Sequence, residues 1–466
     1  MFGHKIFGSV SDYYQYCNMK KIHFIAIGGA LMHNLALAMH QQGYHITGSD
    51  DEIYDPSRSR LAAAGLLPQQ MGWSPERITN ELDAIILGMH ARPDNPELAK
   101  AKALGLPIYS YPEYLYAQSQ QKTRVVVGGS HGKTTTTAMI MHILHYHKVD
   151  FDYAVGAQLE GFDLMVRLSD APIIVIEGDE YLSSPIDRRS KFLHYQPHIA
   201  ILTGVAWDHI NVFPTLENYQ SQFDAFVETI DPKGTLIYYK KDAYLQALAA
   251  KTNCQTIGYT TPAATIESHQ TYLQQDYNIT NKVPVALQIF GNHNLQNLQA
   301  ARLVCRELGL SDGEIVEAIA SFGGAAKRLE TLSSTAEQVI FKDFAHAPSK
   351  VKATIQAVQA QFPERKLIAA LELHTFSSLN KEFLSQYQSA MDAADTAIVY
   401  YSEHTLAIKK LPAISAAEIQ AAFGHKNLLV YTNPEKLATK LKELKAQKPV
   451  NVLLMSSGNW GGMVLD

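Results

Sequence analysis

A lysine and two threonines set directly behind closely spaced glycines can hold a polyphosphate. Residues Gly128-Gly-Ser-His-Gly-Lys-Thr-Thr135 have this form, and three valines, Val125 to Val127, stand just before them. The valines read as a buried parallel strand, because β-branched residues suit a sheet covered on both faces. From Lys133 the pattern turns helical, with Met139, Ile140, Ile143 and Leu144 at three- and four-residue spacing. Amides of Gly129, Ser130, His131 and Gly132 then face an anion at a helix start, where the dipole favours negative charge. Lys133 adds a point charge, and Thr134 or Thr135 is placed to offer a hydroxyl to Mg²⁺. Val127 stands where the longer phosphate-loop pattern has its first glycine, so this is a shortened variant. The competing reading is a glycine-rich turn of some other α/β unit, and it leaves the Lys-Thr-Thr run unexplained. The expectation is a nucleoside triphosphate site, with Lys133 an exposed loop lysine that carries little packing.

Two further strands end in groups suited to such a site. Ile173 to Ile176 delivers Glu177-Gly-Asp-Glu180, and Ile199 to Leu202 is followed by Trp207-Asp208-His209. Carboxylate oxygens are hard ligands for Mg²⁺, and such groups orient a γ-phosphate. Asn294 and Asn297 lie one turn apart at the start of a helix running to Leu308. Both can face one ligand, and amides suit an adenine edge, although asparagine is also an ordinary helix cap.

The elements that hold these groups divide into three α/β units with mainly parallel sheets. The first, residues 19–118, opens with the strand Ile22 to Ile27, then Gly28-Gly29, a helix, and a second strand ending at Ser49-Asp50. This resembles a dinucleotide fingerprint, but Ala26 and Leu31 replace its first and third glycines. A nicotinamide site is therefore not expected, while another nucleotide's phosphate can sit at that helix start. His90 lies in the loop after the strand Ala84 to Leu87, at the strand end where ligands of open α/β sheets bind. The second unit is 119–325. The third, 326–466, alternates strands and helices from Val339 to Met455, which implies a parallel sheet flanked by helices. Residues 1–18 lack an apolar core with a small-residue cleavage site, and this leader is given no role.

Composition bounds the rest. A net charge of −5 with no basic run argues against a nucleic-acid surface. Three unpatterned cysteines, Cys17, Cys254 and Cys305, fit reduced cytoplasmic thiols better than disulfides or a zinc site. No apolar run approaches the ~20 residues of a membrane span.

In order and spacing, these motifs resemble the Mur ligase family. The likeness runs from about Lys20 onward. It rests on the Gly128–Thr135 loop, Glu177-Gly-Asp-Glu180, Asp208-His209, His293-Asn-Leu-Gln-Asn297, Lys327-Arg-Leu-Glu330 and Asp343-Phe-Ala-His346. The resemblance implies a UDP-sugar domain, a phosphate-loop ATPase domain and a Rossmann-like acceptor domain that closes over ATP. Carried over, Lys133 would hold the β/γ-phosphates, Thr134 and Glu177 would bind Mg²⁺, and His209 would join a second metal region. Asn294 and Asn297 would meet adenine, and Arg328 and Asp343 would come from the closing domain. Gly28, Gly29, Ser49 and Asp50 would face UDP, with His90 also on the substrate side and His346 and His374 toward the acceptor.

The implied reaction is acyl phosphate formation on the lactyl carboxylate of UDP-N-acetylmuramate, followed by attack of an L-alanyl amine. No lysine occurs from Ile210 to Pro232, where several branches carry a carbamylated one. That points to the branches that act on L-alanine or on a peptide beginning with it. Asp187-Arg-Arg-Ser-Lys-Phe-Leu-His-Tyr195 resembles the peptide branch, with Arg188 and Arg189 suited to peptide carboxylates. Glu372-Leu-His-Thr-Phe-Ser377 is closer in part to the alanine branch. Oligomeric state, whether monomer or weak dimer, is left open. A regulatory ATP module would need neither His209 nor Arg328, and a nicotinamide oxidoreductase is disfavoured by Ala26 and Leu31.

Overall fold

A computed structural model describes residues 21–274, 284–325 and 328–463. The leader with Cys17, and Lys327, lie outside the described residues.

The first unit is a four-stranded parallel sheet, β1 (Lys21–Ile25), β2 (His45–Ser49), β3 (Ala84–Leu87) and β4 (Ile108–Ser110), in the order β2-β1-β3-β4. Helix α1 (Ala30–Gln41) follows the first glycine turn. Between β1 and α1, Ala26 adopts a left-handed φ of 67°, a conformation that glycine takes at lower cost.

The middle unit holds seven strands: β5 (Thr123–Gly128), β6 (Asp152–Ala154), β7 (Val166–Arg167), β8 (Ile173–Glu177), β9 (Ile199–Leu202), β10 (Thr235–Tyr239) and β11 (Gln255–Tyr259). Their order is β11-β10-β9-β5-β8-β6-β7, all parallel except β7 against β6. Val125, Val126 and Val127 are fully buried, as a strand covered on both faces requires. β5 is paired with β8 on one side and with β9 on the other. The crevice outside the carboxyl ends of these three strands is where an open α/β sheet binds its ligand. Helix α2 (Lys133–Tyr146) packs against helix α3 (Asn292–Glu307) above this crevice. The α3 helix starts earlier than its apolar periodicity suggests, because Gly291 turns the chain at φ 88° and places Asn292 to Asn294 in the first turn. A small antiparallel sheet, β12 (Ala264–Glu267), β13 (Gln270–Leu273) and β14 (Val285–Leu287), packs beside it.

The last unit has six strands, β15 (Glu330–Ser334), β16 (Val339–Asp343), β17 (Lys366–Leu373), β18 (Thr396–Tyr401), β19 (Leu428–Tyr431) and β20 (Val450–Met455), in the order β15-β16-β20-β17-β18-β19. All but β15 run parallel. Helix α4 (Pro348–Gln361) follows β16, with proline at its first position, where no amide hydrogen is needed. The last two units meet through Trp207, which packs edge-on to Phe383, and Phe290, which does the same to Phe341. Among the described residues, no helix is long and apolar enough to cross a membrane.

Candidate active site

The crevice is a cleft of about 430 Å³ walled by the middle unit on one side and the last on the other. Ser130 to Thr135, Glu177, Asn294 and Asn297 line the first wall; Arg328, Asp343, Phe344 and Lys350 line the second. Gly129 and Gly132 have φ of 126° and 80°, and a Cβ on either would collide with Thr203 or Asn297 respectively. Only glycine fits at these two turns.

Lys133 is not the exposed side chain that its loop position suggests. Its side chain is 14% accessible and its ammonium lies 2.6 Å from the fully buried carboxylate of Glu180. It also donates to the Gly129 carbonyl at 2.7 Å. Glu180 in turn accepts from the Tyr219 hydroxyl at 2.8 Å, and that hydroxyl lies 2.9 Å from Ser130 Oγ. Burial disfavours the Lys133 charge, but Glu180 and Asp179 outweigh it, so its pKa is raised. This network holds the lysine in one place. The acidic motif contained Glu180, whereas Tyr219, on a helix far along the chain, gave no local signal.

Thr134 donates to Glu177 at 2.7 Å, and the other Glu177 oxygen accepts from the Gly156 amide at 2.7 Å. The hydroxyl and carboxylate thus form a pair of hard oxygens beside the phosphate loop, a donor set that fits Mg²⁺. His209 faces Glu180 instead, at 3.7 Å, edge-on to Tyr181, and does not line the cleft. Its neighbour Asp208 lies 3.6 Å from Lys350 Nζ. Burial opposes the Asp208 charge, yet Lys350, His209 and His346 hold its carboxyl below the usual range.

Asn294 and Asn297 both line the cleft, but the Asn294 amide donates back to the Phe290 carbonyl at 2.9 Å. Asn297 stands against Gly132. His131 and His293 each bury an Nδ1 with no partner among the described residues. Burial, and then neighbouring Lys350 and Lys133 for His131 and His131 and Arg328 for His293, push both imidazoles down to about 4. Both are neutral at ordinary pH.

On the far wall, Asp343 accepts from the amides of Leu329 and Ala345 at 2.8 and 2.7 Å. It is spent on fixing the backbone beside Arg328, whose guanidinium lies over the Phe344 ring at 4.8 Å. His346 turns Nδ1 to the Phe344 carbonyl at 2.8 Å, which accepts from it. His374 is packed against Gly458, 4.0 Å from the buried Glu372.

The sugar-side residues separate. Asp50 accepts from the Gly28 amide at 2.7 Å and closes over the first glycine turn, with Gly29 next to it at the start of α1. Burial, and the nearby Asp51, push the Asp50 carboxyl up to about 6, against the opposing Gly28 hydrogen bond. Ser49 does not face a ligand. It is fully buried and its hydroxyl donates to Glu97, because the alternation of β2 turns Ser49 into the interior. His90 is exposed on its loop. Arg189 is taken up by Asp187 at 2.7 Å and reaches Glu113 of the first unit at 3.8 Å, while Arg188 is exposed and makes no ion pair among the described residues.

Fold and site define a class: a three-domain α/β protein with a glycine-loop cleft in the middle domain that the last domain faces. Comparison narrows it. Residues 21–123, 127–305 and 327–458 match models described as the Mur ligase family catalytic domain, the Mur ligase middle domain and the Mur ligase glutamate ligase domain. An Arthrobacter sp. protein named UDP-N-acetylmuramate–L-alanine ligase is 33% identical over 82% of the chain and 81% of its own length. A Haemophilus influenzae protein named UDP-N-acetylmuramate–L-alanyl-γ-D-glutamyl-meso-2,6-diaminoheptandioate ligase is 27% identical over 96% of this chain and 98% of its own. The crystal structure of a murein peptide ligase from Psychrobacter arcticus superposes with a TM-score of 0.66 at 25% identity, covering 96% and 97% of the two chains. A Thermotoga maritima UDP-N-acetylmuramate–alanine ligase has the same fold, with a TM-score of 0.69 at 20% identity over 95% and 96%. The chain belongs to the Mur ligase family. It is an ATP-dependent ligase that forms amide bonds.

Proposed function

We propose that the chain joins UDP-N-acetylmuramate to a peptide that begins with L-alanine, as in L-alanyl-D-glutamyl-diaminopimelate. The observation that carries this reading is the loop after the acidic motif. It is pinned by Lys191 on Asp179 at 2.6 Å and by Arg189 on Asp187, which leaves the exposed Arg188 without a carboxylate. A peptide ending in diaminopimelate has several carboxylates, L-alanine one, and a free guanidinium on a fixed loop suits the former. The Haemophilus relative, matched almost end to end, supports the same acceptor. Ligation to free L-alanine is the second reading, favoured by the name of the Arthrobacter relative.

In this reading ATP supplies the phosphoryl group that activates the lactyl carboxylate as an acyl phosphate, and Mg²⁺ neutralises charge on the phosphates. Lys133 is held in place by Glu180 and the Gly129 carbonyl, so its charge needs no reorganisation when the phosphates arrive. Thr134 and Glu177 hold Mg²⁺, with His209 acting through Glu180. Asn297, with Asn294 behind it, takes the adenine side. Arg328, set by Asp343 and the Phe344 ring, brings positive charge from the last domain. Gly28, Gly29 and Asp50 take the UDP side with His90 near it, and His346 and His374 the acceptor side. The three units, divided near residues 118 and 325, serve sugar nucleotide, ATP and acceptor in turn.

A panel of acceptors tests the proposal. The tripeptide should be ligated much faster than free L-alanine, and Arg188→Ala should raise the Michaelis constant for the tripeptide. Faster ligation of L-alanine by the unaltered protein would put the second reading in its place.

A further inference from the structure

Lys350 belongs to no motif, yet it lines the cleft and reaches across it to the middle domain. It occupies the third position of α4, after Pro348 and Ser349, and both Ser349 and Lys350 line the cleft. Its ammonium lies 3.6 Å from Asp208, a residue of the middle unit, and its side chain is 23% accessible. A cation in the first turn of a helix opposes the dipole, so the position is unfavourable unless anions offset it. Asp208 is one such anion, but 3.6 Å is a loose ion pair. The other charged groups that bear on Lys350 are Lys133 and Arg328, both cations, and Glu180, which is already bound to Lys133. Burial and these two cations lower the Lys350 pKa, with only Asp208 and Glu180 acting in the other direction.

Lys133, Arg328 and Lys350 thus converge on one cleft whose carboxylates are nearly all engaged. Glu177 is bound to Thr134 and Gly156, Glu180 to Lys133 and Tyr219, and Asp343 to two backbone amides. These three cations face one cleft in which most carboxylates are already bonded to other groups, an arrangement that suits a bound polyanion. Asp208 is the one partner that Lys350 has across the two domains among the described ion pairs.

We propose that Lys350 is a second cation delivered by the last domain to the polyphosphate of the bound nucleotide, and that Asp208 holds it, and with it the domain, when no nucleotide is present. The proposal deepens the ligase reading and rests on it for the identity of the nucleotide. Lys350 is a positioning residue, with Asp208 as its partner across the two domains. The loose 3.6 Å pair fits a contact that must be given up when a stronger anion enters. Helix α4 follows β16, whose last residue, Asp343, accepts from the Leu329 amide beside Arg328, so both cations are fixed to the same domain.

The test uses the full chain with Lys350→Met, which keeps the aliphatic stem and removes the charge; Lys350→Gln serves as a second neutral variant should the first not fold. Small-angle scattering of the nucleotide-free protein should give a larger radius of gyration for the neutral variant than for wild type. Turnover with ATP, Mg²⁺, UDP-N-acetylmuramate and tripeptide should fall about tenfold, the size expected for a lost charged contact. Affinity for a non-hydrolysable ATP analogue should change less than turnover, and Lys350→Arg should restore both scattering and turnover. Either an unchanged scattering curve or turnover within about twofold of wild type overturns the proposal. Failure of the ligase reading would appear separately, as absent turnover in the wild type, with the scattering comparison unaffected.

Discussion

The two walls of the cleft hold their charges in different ways. On the middle-domain wall, Lys133 is 2.6 Å from a carboxylate that is itself fixed by a buried tyrosine, and Thr134 and Glu177 are 2.7 Å apart. On the facing wall, Arg328 rests on an aromatic ring with no ion pair among the described residues, and Lys350 stands 3.6 Å from its partner. One wall is assembled within a single sheet and its loops. The other is assembled only when a second domain docks. The charge of the first wall is fixed within its own domain, whereas that of the second is contributed by the neighbouring domain.

The sharpest break of this comparison is Lys133→Ala. Turnover should fall by about a thousandfold, since a fixed charge at the phosphates is lost. Because Glu180 would then be buried without its cation, the variant should also lose about 1–3 kcal/mol of stability, read from a denaturant midpoint. ADP release at the wild-type rate would remove Lys133 from the site altogether. Arg328→Ala probes the opposite wall. It should lower turnover by about a hundredfold and ATP-analogue affinity by no more than about threefold, because the contact forms on closure. Loss of affinity with turnover intact would reverse the roles assigned to the two walls. Glu177→Gln, which keeps shape and removes one anionic oxygen, should raise the Mg²⁺ concentration for half-maximal activity about tenfold. An unchanged titration would reduce Glu177 to a strand-end carboxylate that binds Thr134 and Gly156.

The smallest effect concerns the other glycine turn. There a carboxylate, Asp50, accepts from the Gly28 amide. With its folded pKa near 6 and an unfolded value near 4, Asp50 holds a proton that the unfolded chain has released between those values. Stability therefore falls as pH rises through that window, by about 1–2 kcal/mol for this group. Asp50→Asn should flatten that part of the stability–pH curve. An identical slope in the variant would mean that Asp50 ionises in the folded protein as freely as in the unfolded one.

Much of this was legible before the fold, and the exceptions share a cause. Ala84–Leu87, Ile199–Leu202, Val339–Asp343, Thr396–Tyr401 and Leu428–Tyr431 are strands with the bounds that their apolar runs suggest. Strands buried on both faces announce themselves in this way. The two- and three-residue strands β7 and β6 are too short to carry a pattern. Within the site, local motifs marked Lys133, Thr134, Glu177 and Arg328, which all line the cleft. Tyr219 and Lys350 were invisible, since each matters through a residue distant in sequence, Glu180 for one and Asp208 for the other. Ser49 was misjudged for the same reason: its inward turn toward Glu97 depends on a helix 48 residues later.

The central claim is that nucleotide cleavage is tied to amide formation at this two-walled cleft. The most direct measurement is ADP release in an omission series containing ATP, Mg²⁺, UDP-N-acetylmuramate and L-alanyl-D-glutamyl-diaminopimelate. Sustained release should require all four together, and should stop when either the sugar nucleotide or the acceptor is left out. Release that continues at the same rate without them would contradict the account.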